Sequence, residues 1–200
     1  MPLFSDSTIE AGLPRRRFLA SLSAALAAPI LPAFLQGAQD KPQVPPERQP
    51  LEKILSPEEW AAAQKSPLAL EIDKVFGRGY SCAEAMLLVS VRHLRMPEHL
   101  VWAAAGFGGG LGQKDLCGFL TAGIMGFGHA CGTLKLERKD AKKICADASA
   151  EYWNWWKASF PLRCSELRPV GSSGDICRRL GALSAAKVNA LLDRLVSPAA

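Results

Sequence analysis

Between Pro57 and Val196, apolar residues recur at spacings of three and four, and no alternating apolar–polar run reaches useful strand length. This pattern predicts an all-α, compact, helical bundle-like domain, with helices near 57–76, 82–95, 98–106, 115–131, 138–159 and 184–196. Start signals sharpen two of these. Ser56, Pro57 and Glu59 supply an N-cap, a first-turn proline and a capping-box acid, and Ser81 with Glu84 repeats the capping box. One stripe, Ala141, Ile144, Cys145, Ala148, Tyr152 and Trp156, has the spacing of a buried helix face. In the same segment Trp153, Trp156 and Phe160 share a face and Tyr152 and Trp155 another, so core packing accounts for one set. The other set is free to cover a site or to form a partner contact such as a homodimer.

Upstream the pattern changes. The chain divides into residues 1–38, a signal; 39–55, a Pro-rich polar linker; and 56–198, the helical, cysteine-containing domain. In the first part Arg15 and Arg16 are followed by Phe18, Leu19 and an Ala-rich run, which resembles a twin-arginine export signal, with Pro14 where that pattern usually has Ser or Thr. The resemblance implies the twin-arginine translocation machinery as a partner, export of a folded protein and a periplasmic destination. The alternative is an uncleaved membrane anchor, although Pro29 and Pro32 interrupt the apolar run.

With 200 residues, 48% of them hydrophobic and 22% charged, the chain can bury one ordinary core. The net charge of +5 is spread thinly apart from Arg15 to Arg17, so there is no basic stripe and nucleic-acid binding is not expected. No acid–base pair, catalytic triad or phosphate loop supports a hydrolase or transferase. A dinucleotide fingerprint also fails, because Leu111 stands where the third glycine belongs and the loop follows a helix rather than a strand.

The chemistry left is that of cysteine. Cys82, Cys117, Cys164 and Cys177 each follow a cap or a helix break, whereas Cys145 lies on the apolar stripe and Cys131 lies beside His129 near a helix end. Helix starts present free N–H groups and partial positive charge, which favour thiolate. These four are therefore placed for metal ligation or redox chemistry, and Cys131 and Cys145 are read as small buried hydrophobes. Disulfides are the alternative for an exported chain with an even number of cysteines. A continuous helix would hold Cys117 and Cys131 ~21 Å apart, beyond bridging range, while a Cys164–Cys177 bridge is feasible. The chain has no Cys-x-x-Cys pair, which removes simple ferredoxin, zinc-finger and thioredoxin readings. His93, His99 and His129 are scattered and read as structural or solvent-facing.

The segments "GYSCAEAMLL", "GFGGGLGQKDLCGFLTAGIM" and "FPLRCSEL", followed by a last cysteine before a terminal helix, resemble the redox-active family known by its C-GCAxxG-C-C motif. The resemblance covers about residues 70–196 and places the four family cysteines on Cys82, Cys117, Cys164 and Cys177. Relatives include the split-Soret type of cytochrome, whose haem part is absent here. The resemblance implies a metal centre, an iron–sulfur cluster of the two-iron, two-sulfur (2Fe-2S) kind, serving electron transfer with a redox partner protein or redox sensing. Gly108, Gly109 and Gly110 would then line the cofactor, allowing close backbone approach and offering N–H groups to sulfur. The central motif departs from the family in having Phe119 for the usual Ala and Ala122 before Gly123. Other readings are a thiol–disulfide oxidoreductase, in which Cys82 or Cys117 attacks, and a disulfide-stabilised binding protein.

Overall fold

The computed structural model describes residues 57–169 and 174–197, so the expected export signal, linker and Ser56 cap lie outside the described residues. The fold is all-α. Its helices are α1 (Pro57–Ala63), α2 (Pro67–Val75), α3 (Cys82–His93), α4 (Gly118–Gly132), α5 (Arg138–Ser159), α6 (Cys164–Leu167) and α7 (Asp175–Val196). A 3-10 segment spans Glu98–Phe107 and a π-turn spans Gly110–Lys114. Among the described residues there is no strand, only isolated bridges pairing Phe76 with Tyr80 and Leu116 with Arg163. No helix among them is long and apolar enough to cross a membrane.

The core forms around α3, which is buried on every side from Ala85 to Val91, as expected of a helix with apolar residues all round. Helix α4 packs on it, α7 packs on both α4 and α2, and α5 lies against α4. Small residues set these distances. A Cβ on Gly126 would stand 3.0 Å from Ser90 Oγ, one on Gly123 would stand 2.6 Å from the Tyr152 ring, and one on Gly181 would stand 2.9 Å from the Phe119 ring. Gly128, by contrast, has open space around it and makes no such contact. Buried hydroxyls bond back to their own helices, Ser90 Oγ donating to Met86 O and Ser184 Oγ to Leu180 O.

Several sequence expectations are corrected. The helix expected over 57–76 is two helices, because Pro67 has no N–H to give and disfavours helical backbone just before it. Ser66 occupies the N-cap position of α2 but does not cap its own turn. Its hydroxyl donates instead to Asn189 Oδ1 on α7, and that same oxygen accepts the Leu68 N–H. One buried amide thus ties the start of α2 to the last helix. Asn189→Leu should cost ~1–3 kcal/mol by orphaning both donors, measurable as a lower urea midpoint.

Helix α3 ends earlier than expected, at His93, where Arg95 turns into the left-handed region at φ 53° and Met96 N–H reaches back to Val91 O. The segment expected as a helix over 98–106 is a 3-10 helix, and α4 starts at Gly118 rather than at 115. The last helix begins at Asp175, nine residues before the expected 184, with Gly174 at its cap. Short α6 was not anticipated, whereas α5 has the expected limits.

The aromatic grouping also changes. Tyr152 and Trp156 are fully buried together, Trp155 stacks on Tyr152, and Phe160 packs edge-on to Trp155 and Trp156, so the two supposed faces form one cluster. His93 is structural, its Nε2 lying 2.8 Å from Asp193 Oδ1 across α3 and α7.

Candidate redox site at four helix starts

Each of the four singled-out cysteines stands in the first turn of a different helix. Cys82 opens α3 behind the capping box, with Ser81 N–H donating to Glu84 Oε2 at 2.9 Å and Glu84 N–H returning to Ser81 Oγ. Cys117 is the N-cap of α4, Cys164 is the first residue of α6 and Cys177 is the third of α7. The middle two are bound together by backbone. Cys117 N–H donates to Leu162 O at 3.0 Å and Cys164 N–H donates to Asp115 O at 2.7 Å, on either side of the Leu116–Arg163 bridge.

The four thiols feel one another. Cys82 is the hub, raising the pKa of Cys117, Cys164 and Cys177 by like-charge repulsion, and Cys164 and Cys177 couple as well. Burial is the larger cause in each case. It pushes the Cys117 thiol far up, raises that of Cys164 and raises that of Cys177 to about 11. The Phe119 and Leu120 N–H groups, where an N-cap acceptor finds its donors, pull Cys117 the other way without prevailing. The expectation that helix starts would favour thiolate is therefore overturned for these three in the metal-free chain: loss of water outweighs the helix end. All six cysteines are free thiols.

Two cations missed by sequence reasoning complete the surroundings. Arg168 lowers the pKa of Cys164 and of Cys177, and Lys114 lowers that of Cys164. Lys114 directly precedes the "DLC" turn and Arg168 follows "CSEL", a placement beside cysteine that could have drawn notice.

The glycine-rich segment fits the site sterically. Gly118 has no room for a side chain, since a Cβ there would lie 2.5 Å from Cys82 Sγ and 3.0 Å from Phe107 O. Gly110 is fixed twice over. Its φ is +67°, and a Cβ would meet Asp115 O at 2.5 Å and Cys164 Cβ at 2.8 Å. Gly109 is left-handed beside it, and Gly108 is extended and backs onto Ser81. Gly106, by contrast, meets nothing within 4 Å. Leu111 and Lys114 take positive φ without being glycine, which marks this turn as strained.

A donor set of four sulfurs, with no carboxylate or imidazole among them, and backbone brought against two of those sulfur-bearing side chains fit a sulfur-bound group. Among the described residues, no three His, Cys, Asp or Glu side chains are gathered closely enough to share one metal ion.

Residues 80–191 match a family model described as "Putative redox-active protein (C_GCAxxG_C_C)", which spans more than half of the chain. The chain belongs to this family. Membership supports a redox role for the chain. No curated protein and no solved structure matches the chain.

Proposed function

We propose that the domain binds a two-iron, two-sulfur (2Fe-2S) cluster through Cys82, Cys117, Cys164 and Cys177, and passes electrons to and from a redox partner protein. The supporting observation is that four thiols from four separate helix starts lie within electrostatic reach of one another around glycines that leave no room for side chains. Cys82, Cys117, Cys164 and Cys177 would hold the cluster. When bound, such a cluster supplies one-electron storage at a potential set by its surroundings.

The chain's own residues do the rest. Cys117 keeps its sulfur in front of the Phe119 and Leu120 N–H groups, and hydrogen bonds to sulfur raise the potential. The backbone of Gly108, Gly109 and Gly110 offers further donors. Arg168 and Lys114 offset negative charge on the sulfur set. Burial of Cys117 and Cys177 keeps water from two of the four sulfurs. For a thiol–disulfide oxidoreductase at this site Cys117 is the less suited attacker, because an attacking cysteine gains from a depressed pKa and burial pushes Cys117 the opposite way. In the same reading, Arg15, Arg16, Phe18 and Leu19 direct the folded, loaded protein to the periplasm by the twin-arginine route.

Anaerobically purified protein should be brown and contain iron and acid-labile sulfide in equal amounts. Replacing Cys82, Cys117, Cys164 or Cys177 by Ser should reduce bound iron to background, whereas Cys145→Ala should keep it. Colourless protein with freely titratable thiols would reject the cluster. A requirement for Cys131 and Cys145, with Cys164 dispensable, would reject the ligand set.

A further inference from the structure

The remaining two thiols also meet. Cys131 lies in the last turn of α4 and Cys145 two turns into α5, with the connection 133–137 between the helices. Helices α4 and α5 run antiparallel. Gly123 and Phe127 both face Tyr152, and moving about two turns on from Gly123 along α4 and about two turns back from Tyr152 along α5 brings Cys131 opposite Cys145. At that point Cys145 acts on the Cys131 thiol and raises its pKa. They differ in access, since Cys131 is 3% exposed and Cys145 is only half-buried.

We propose that Cys131 and Cys145 form a second redox site, a dithiol that closes to a disulfide between α4 and α5 by exchange with a small organic disulfide. The site stands apart from the four-cysteine one and does not depend on what that one binds. Exposure sets the order of events. The Cys145 thiolate attacks one sulfur of the organic disulfide, forming a mixed disulfide and releasing one thiolate. Cys131 then attacks Cys145 Sγ, the mixed disulfide breaks, and the second thiolate leaves. The two protons lost by the cysteines end on the two released thiols. The protein dithiol gives up two electrons and the organic disulfide takes them. Because burial and the neighbouring Cys145 hold Cys131 up to about 11, closure should quicken as pH rises through the neutral range.

The test equilibrates the full chain in oxidised and reduced glutathione at graded ratios, quenches with an alkylating reagent under denaturing conditions and maps the peptides. The expected result is that the Cys131 and Cys145 peptides leave the alkylated pool together and appear as one cross-linked pair. In Cys145→Ser, Cys131 should stay fully alkylated at every ratio; in Cys131→Ser, Cys145 should stop as the glutathione mixed disulfide. The proposal is overturned if Cys131 remains alkylated in the wild-type chain at the most oxidising ratio. It is equally overturned if either cysteine cross-links to one of the other four instead. Iron content plays no part in the readout, so failure here leaves the cluster reading untouched and failure of the cluster leaves this one standing.

Discussion

Metal-free protein is expected to lose stability steeply as pH rises from about 9 to about 11, through its buried thiols. Cys177 titrates near 11 in the fold and near the ordinary cysteine value once unfolded, and Cys117 is displaced further in the same direction. A folded-state pKa raised above the unfolded one means that the fold holds a proton which the unfolded chain has released. The stabilisation is therefore complete below the unfolded value and disappears as pH climbs through the folded one. Each such thiol costs at most about 1.4 kcal/mol per pH unit in that window, and because the two are coupled the loss across it is on the order of a few kcal/mol, a large share of the stability of a marginal domain. Urea midpoints measured at intervals from pH 8 to 11 should fall accordingly, and Cys177→Ser should flatten the slope by about 1.4 kcal/mol per pH unit. A midpoint that ignores pH over this range would show that the thiols are not held neutral in the core. Thiolate-binding metals should behave in the opposite sense, since each must displace these protons and gains affinity as pH rises.

Trp156→Ala should cost ~3–5 kcal/mol, the range for removing a fully buried large aromatic. The side chain has no exposure and packs against Tyr152, Trp155 and Phe160. It also does something a plain core residue does not: its Nε1–H donates to Pro161 O at 2.9 Å, holding the turn that leads into Cys164. Trp156→Phe should therefore recover much of the packing while leaving that carbonyl unpaired. If the turn depends on the bond, the Phe variant should show faster alkylation of Cys164 than wild type at equal denaturant midpoint. Identical alkylation in both would assign Trp156 to packing alone.

The sequence pattern was readable where burial and local signals agree. Helix α5 has its expected ends, and the capping box at Ser81 and Glu84 is in place before Cys82. It misled where a local signal was outvoted or overlooked. Pro67, preceded by Ser66, repeats the start signature at Ser56 and Pro57 and splits what looked like one helix. The helix expected from 184 in fact starts at Asp175, with Gly181 inside α7, where the Phe119 ring takes the space a side chain would need. Choosing Cys82, Cys117, Cys164 and Cys177 from their place at helix starts picked out thiols that influence one another, while their protonation could not be read the same way. A cap motif is local, but desolvation depends on which helices close over it. The Cys131–Cys145 encounter was hidden for a similar reason, since each residue taken alone looks like filler and only the antiparallel register of α4 and α5 pairs them.

The distribution of the four helix starts along the chain fixes the timing of site formation during synthesis. Cys82 and Cys117 emerge from the ribosome well before Cys177, whose helix α7 is the last element and must settle on α2 and α4 to bring its first turn into place. The segments between successive cysteines have to close as loops before the four sulfurs can be neighbours, so the site is built from long-range contacts, which fold slowly. Until α7 docks, Cys82, Cys117 and Cys164 stand without their fourth neighbour. A group held by all four sulfurs would therefore be bound only after α7 has docked, and the interval before docking is the time in which wrong thiol pairings have to be prevented.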